Sequence, residues 1–169
     1  NDNAGHTQIY RYSIDGNVWK QLGEDIYGEN ANDCSGYRVR LSADGTKVAI
    51  SALNNNGINH GHVRIFSFDQ ISNSWSQFGD DIDGVQANAR FGDSISFNSA
   101  GDIIAVGARA YDGSSVDSGR ITVYKYDGQQ NTWARLGQNL DGEKAGDNAS
   151  AVSLNAIGDV LAIGSLNSD

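Results

Sequence analysis

Gly61-His62-Val63-Arg64-Ile65-Phe66, followed by Trp75-Ser76-Gln77-Phe78-Gly79, decides the fold because the chain writes it three times. Gly5-His6-Thr7-Gln8-Ile9-Tyr10 with Trp19-Lys20-Gln21-Leu22-Gly23 stands before it. Gly119-Arg120-Ile121-Thr122-Val123-Tyr124 with Trp133-Ala134-Arg135-Leu136-Gly137 stands after it. Trp19, Trp75 and Trp133, all the tryptophans of the protein, recur at nearly equal steps, and Gly45, Gly101 and Gly158 keep the same register. A fixed period of this kind marks a repeat array, in which each unit buries its apolar face against its neighbours. The 169 residues read as one array, with units 5–60, 61–118 and 119–169 of about 56 residues.

Every repeat contains four short strands, A to D. Strand B is Lys47-Val48-Ala49-Ile50-Ser51, then Ile103-Ile104-Ala105-Val106-Gly107, then Val160-Leu161-Ala162-Ile163-Gly164. Large and small residues alternate, so one face of the strand offers bulk and the other a socket. Strand C puts Val63 and Ile65 on one side and Phe66 and Phe68 on the other, which predicts that both faces are covered. Strand A carries Val39 and Leu41, Ile95 and Phe97, and Val152 and Leu154; strand D carries the tryptophan. No helical period occurs, and β-branched and aromatic runs sit between Asp, Asn, Gly and Ser. The fold class is therefore all-β, built from four-stranded antiparallel units.

Spacing assigns the loops. Ile9 to Trp19, Ile65 to Trp75 and Val123 to Trp133 are equal intervals, so the C-D turns are constant; the A-B turns, measured from Gly36, Gly92 and Ala149, are constant too. The B-C and D-A connections are expected to absorb the changes in length. In an antiparallel meander those two connections share one end, and variable loops on a repetitive scaffold are where recognition usually sits. Asp81, Asp83, Asn88, Asp112, Asp117, Asp141 and Glu143 are the candidate residues of that binding face.

Composition narrows the partners. A formal charge of -9 opposes phosphate backbones and anionic lipid, so nucleic acid is not an expected partner. No apolar run is long enough to span a bilayer, and membrane insertion is not expected. Cys34 stands alone and cannot form an internal disulfide. The chain opens in a B-C loop and closes in one, with half a repeat at each end. It is expected to be a segment of a longer array, its terminal halves completed by adjacent repeats or by another chain.

Several constellations hold the residue types of chemical sites. His60-Gly61-His62 has metal-like spacing but no third ligand, and it reads as loop and strand-entrance residues. Asp80, Asp81 and Asp83 recur as Glu24 and Asp25, then as Asp141 and Glu143, and recurrence favours a scaffold role over acid-base catalysis. Arg38 and Arg40, with Ser or Ala at the matching positions, are expected to pair with an acid of the neighbouring unit or to line a channel. Asn148-Ala149-Ser150 is an N-glycosylation sequon. No Ser-His-Asp order, Cys-His pair, phosphate loop or zinc quartet can be assembled, so catalysis is not expected.

Phe91-Gly92, then Ile95, Gly101, the run Ile103 to Val106 and Gly107-Ala108, resembles the FG-GAP repeat of integrin-α-type β-propellers. The fuller pattern, Trp-x-Gln-Leu/Phe-Gly-x-Asp-Ile and then Gly-His-Val-Arg-Ile, is similar to tandem repeats of secreted algal and marine bacterial proteins. The resemblance implies a β-propeller-like array of blades and an extracellular, secreted or cell-surface location. It departs from the family at Ser35-Gly36 and Asn148-Ala149, where Phe-Gly is absent. The A-B turns also hold one carboxylate each, too few for the six to eight oxygens of calcium, so no cofactor or metal is expected. The function implied is a non-catalytic structural and adhesion module binding protein or glycan through its loop face, or binding further copies of the repeat. The alternatives are a segment of a secreted carbohydrate-active enzyme with catalytic residues elsewhere, or a self-assembling structural unit.

Overall fold

The computed structural model describes residues 3–54 and 59–167. Residues 1–2, 55–58 and 168–169, which the sequence assigns to B-C connections, lie outside the described residues. In chain order the strands are β1 (His6–Thr7), β2 (Tyr10–Ser13), β3 (Val18–Gln21), β4 (Ile26–Tyr27), β5 (Arg38–Leu41), β6 (Lys47–Ala52), β7 (His62–Asp69) and β8 (Ser74–Gln77). They continue as β9 (Ile82–Asp83), β10 (Phe91–Phe97), β11 (Ile103–Ala108), β12 (Arg120–Asp127), β13 (Thr132–Arg135), β14 (Leu140–Asp141), β15 (Ala149–Leu154) and β16 (Leu161–Ser165). The chain is all-β, and among the described residues no helix is long and apolar enough to cross a membrane.

Two complete antiparallel sheets form, β5-β6-β7-β8 and β10-β11-β12-β13, flanked by the hairpins β2-β3 and β15-β16. Each complete sheet joins strands A and B of one repeat to strands C and D of the next. Strand D resumes after a break, so that β9 pairs with the start of β7 and β14 with the start of β12. The sheets stack in sequence order, and the described residues form no closed ring.

The unequal faces of strand B explain the stacking. Val48 and Ile50 pack with Ile9, just before the preceding hairpin, and with Ile26 of β4. Ile104 and Val106 pack with Ala49, Val63 and Ile65 of the preceding sheet. Leu161 and Val152 lie against Ala105 and Ile121 in the same way. Bulk from one sheet therefore enters the socket of the one before it, which gives the dense interdigitation of a protein interior.

A second contact repeats with the same period. The Trp75 indole N–H donates to the Leu22 carbonyl at 2.7 Å, and that of Trp133 to the Phe78 carbonyl at 3.0 Å. The glycine that follows each acceptor must be a glycine: a Cβ on Gly23 would stand 2.8 Å from the Trp75 ring, and one on Gly79 the same distance from Trp133. Both also have positive φ, which a side chain would strain. The A-B turns join the series, with Ala43 N–H donating to Ser99 O and Ser99 N–H to Ala156 O. Gly45, Gly101 and Gly158 hold those turns in the left-handed region.

Strand pairing shifts the A-B and D-A lengths read from the sequence. Gly5 bridges Ser35 and Gly119 bridges Ala149, so Ala149 matches Ser35 and Phe91 rather than Gly36 and Gly92. Measured from the tryptophan to these residues, the D-A connection has the same length in all three repeats. The missing residue comes from a bulge in strand A: Gly92 and Asp93 separate the paired residues Phe91 and Ser94, but only Ser150 separates Ala149 from Ala151. Bulges tolerate such changes because their extra residues lie outside the ladder.

Among the described residues the arginines of β5 form no ion pair with an acid. Arg38 donates from Nε to the Asp93 carbonyl oxygen of the next sheet at 2.9 Å and lies over the Tyr37 ring, while Arg40 donates to the Val39 carbonyl. The neighbouring carboxylate of Asp93 is held instead by Arg90 and Tyr37.

Replacing Trp133 by Phe removes the donor to the part-buried Phe78 carbonyl, which is expected to cost about 1 kcal/mol in urea unfolding with an unchanged m-value. A second test concerns the first A-B turn. The Asp44 carboxylate accepts from Ser42 Oγ at 2.6 Å and from Thr46 N at 2.9 Å. These bonds, that of Ser42 foremost, hold its pKa at about 2, below the ordinary 3.8. The contribution is therefore whole above about pH 4 and is lost as pH falls through about 2. Asp44→Asn is expected to flatten the loss of stability across that window, read by urea titration at stepped pH.

Candidate functional site

The residues chosen from the sequence as a binding face are used largely to tie loops together. The B-C and D-A connections do meet at one end: Asn88 N–H donates to the Asn59 carbonyl, and Asn148 N–H to the Asp117 carbonyl. Asp112 accepts from Gln86 Nε2 at 2.9 Å and from Asp117 N–H at 2.9 Å. Asp81 accepts from Gln77 Nε2 at 2.7 Å, repeating the bond from Gln21 to Asp25. A bond from Gln8, together with that from Gln21, draws the Asp25 pKa below its ordinary value. Asp141 holds Arg120 in a two-pronged ion pair at 2.5 and 2.7 Å. Glu143 lines a shallow groove beside β14 and β16. Asn148 donates from its side-chain amide to the Gly146 carbonyl, a bond that a glycan on that nitrogen would have to displace. His62 is buried in β7 while His6 is half-exposed beside Asp25, and among the described residues no group of three His, Cys, Asp or Glu is placed to hold a metal.

The residues that do converge form a pocket of about 400 Å³ between the D-A connection and the face of the second complete sheet. Ala89, Phe91 and Ala108 give it an apolar floor. Tyr124 stands edge-on to Phe91 at 6.4 Å, and burial raises the pKa of its hydroxyl, which stays protonated and able to donate. Tyr111 forms a wall, with the Arg120 guanidinium 3.9 Å above its ring. Asp83, Arg135 and Asn139 complete the lining with polar groups. This volume, a mostly apolar lining and a few convergent polar groups are the features of a small-molecule site.

The repeat explains why the pocket opens here. An equivalent groove runs beside β4 and β7, but there Arg64 occupies it, buried, donating to the Tyr27 carbonyl at 2.7 Å and facing Glu29 at 3.5 Å. The matching residue in the third repeat is Thr122, whose short side chain donates to Asn139 Oδ1 at 3.1 Å and leaves the space open. A further pair of changes frees a cation. Where the first two repeats pair Gln21 with Asp25 and Gln77 with Asp81, the third has Arg135 and Asn139. Among the described residues Arg135 has no carboxylate partner in an ion pair.

Chemically, Arg135 and the Tyr124 hydroxyl can donate to an anionic or carbonyl oxygen, Asp83 and Asn139 can accept from hydroxyls, and the tyrosine faces can cover the C–H face of a saturated ring. The lining contains no serine, cysteine, lysine or histidine. Comparing aligned repeats would have pointed to this site, since Arg135 and Asn139 break a pattern the other two share, and Thr122 is shorter than its counterparts Gln8 and Arg64.

No protein-family model matches the chain, and no curated protein matches it. Solved structures of similar fold exist. A proposed 6-phosphogluconolactonase from Bacteroides fragilis superposes with a TM-score of 0.57 at 16% identity, covering 85% of this chain and 35% of its own. Another from Bacteroides uniformis gives 0.56 at 16% identity, covering 83% and 36%. The chain thus spans about a third of the length of these structures, and the likeness is one of fold. It corrects the functional expectation drawn from the repeat, a non-catalytic extracellular adhesion module. The solved structures that share this fold carry the names of proposed enzymes, so the fold does not indicate adhesion, and of the loop carboxylates Asp81, Asp112 and Asp141 are engaged within the scaffold.

Thr122→Arg, which restores the side chain of the first groove, is expected to fill the pocket without unfolding the sheet. An unchanged circular dichroism spectrum, with loss of binding of a hydrophobic reporter dye that the parent chain takes up, would show this.

Proposed function

We propose that the chain is a stretch of a β-propeller-like array whose pocket binds a small polyhydroxylated acid, such as a sugar acid or its phosphorylated form. The observation that carries this reading is the pocket itself: two departures from the repeat, Arg135 and Asn139, coincide at one groove with Thr122, the shortest side chain at a position that is Gln8 and Arg64 elsewhere, and leave it open beside a guanidinium that none of the described ion pairs uses. Random drift of a scaffold has no reason to open a cavity and free a guanidinium at the same place. An acidic group would meet Arg135, hydroxyls would meet Asp83 and Asn139, and the ring would lie between Tyr111 and Tyr124. The propeller reading is supported by the sequential stacking of four-stranded units and by the FG-GAP resemblance of Phe91-Gly92 through Ala108. The ligand class is supported by the names of the structural neighbours, which refer to a phosphorylated gluconolactone.

The test is calorimetry against gluconate, glucuronate and 6-phosphogluconate, with glucose and glucitol as neutral counterparts. Acids are expected to bind and neutral sugars to bind at least tenfold more weakly, since a charge-assisted hydrogen bond is worth about 1.5–3 kcal/mol. Arg135→Gln, which installs the residue of the other two repeats, should abolish that preference. Equal binding of acids and neutral sugars, or binding by neither, would overturn the reading.

A further inference from the structure

The two faces that bound the array complement each other. At one, Trp19 is 65% exposed although its counterpart Trp133 is 9% exposed, and Tyr10 and Tyr12 lie open beside it. Trp19 sits where Trp75 and Trp133 sit in their hairpins, packed on Tyr12 at 5.4 Å as Trp133 packs on Tyr126 at 5.5 Å. It lacks only the carbonyl and glycine of a preceding unit. At the other face, Leu136 and Gly137 occupy the positions of Leu22-Gly23 and Phe78-Gly79, and a Cβ on Gly137 would meet nothing within 4 Å. Along the open edge of β16, Ile163, which is turned toward Ile121 and Leu140 of the preceding sheet, is 42% exposed where its counterpart Val106 is wholly buried.

The strand edges match as well. Among the described residues β16 pairs with β15 alone, whereas its counterparts β6 and β11 each have a C strand on the other side. Where a B strand flanks them, β7 and β12 run unbroken for eight residues. Where none does, the same stretch breaks into β1 and β2. Unpaired edges of this kind recruit a further strand.

We infer that these faces form one head-to-tail interface, in which β16 of one chain pairs with β1 and β2 of a second copy. Both internal B-C ladders give the same register: Val48 faces Phe66 and Ile104 faces Tyr124, which places Leu161 opposite Tyr10, Ile163 opposite Gln8 and Ser165 opposite His6 of the second copy. Trp19 of the second copy then donates to the Leu136 carbonyl, its ring over Gly137, and Ala156 N–H donates to the Ala43 carbonyl of that copy. In a longer polypeptide the next repeat would make the same contacts. A heterologous interface closes as a ring or continues as a filament according to its rotation.

Sedimentation equilibrium of the 169-residue chain at roughly 100 µM, enough to saturate even a 10 µM contact, is expected to show at least twice the 18.0 kDa monomer. A monomer throughout would overturn the proposal. Register is tested by oxidising mixed single-cysteine chains in a Cys34→Ser background: Leu161→Cys should crosslink to Tyr10→Cys but not to Tyr12→Cys, and the reverse, or equal yields, would refute the pairing. Trp19→Ala, at a site exposed in the single chain, should keep the sheet spectrum and weaken association at least tenfold; unchanged association would count against the interface.

Discussion

The structure depends on one constraint: a four-stranded unit cannot cover its own faces, so each must insert its bulk into the socket of the unit before it. Val48 and Ile50, then Ile104 and Val106, do this through alternation along a single strand. The tryptophan contact sets the spacing and angle of the stack. An indole N–H reaching the preceding unit's carbonyl, over a glycine that offers no Cβ, admits one approach of the two sheets. Stability in such an array is a sum of unit and interface terms, and the tryptophan contact belongs to the interface.

A scaffold that satisfies this constraint with a few residues per repeat leaves others free to vary. The pocket arises there. Arg64 and Thr122 stand at the same position, one filling its groove and the other leaving it open, while the stacking contacts around them persist. Polar groups that repeat, such as Asp25 and Asp81 with their glutamines, serve the fold; Arg135, which breaks the repeat, enters no ion pair among the described residues.

The A-B turns show that one backbone need can be met by different side chains. Ser42, Asp44 and Thr46 brace the first turn, whereas Asn98 with Asp102 and Asn155 with Asp159 brace the next two. Each turn engages its carboxylate internally, and the turns then bond to one another along the stack.

The sequence by itself determined the period, the all-β class, the four main strands of each repeat and the unequal faces of strand B, because alternation and self-similarity are local properties of the chain; the short strands β4, β9 and β14 were not legible in it. It also marked Trp19, Trp75 and Trp133 as equivalent. Only the tertiary structure decided what those residues touch. The indole acceptors lie a whole repeat away along the chain, and the bulge that absorbs the missing residue of the third repeat can be located only from strand register. The site was hidden for the same reason. Carboxylates such as Asp112 and Asp141 look available in sequence, but loops brought together from distant positions consume them, and a cavity is the space left between side chains, which has no residue of its own to read.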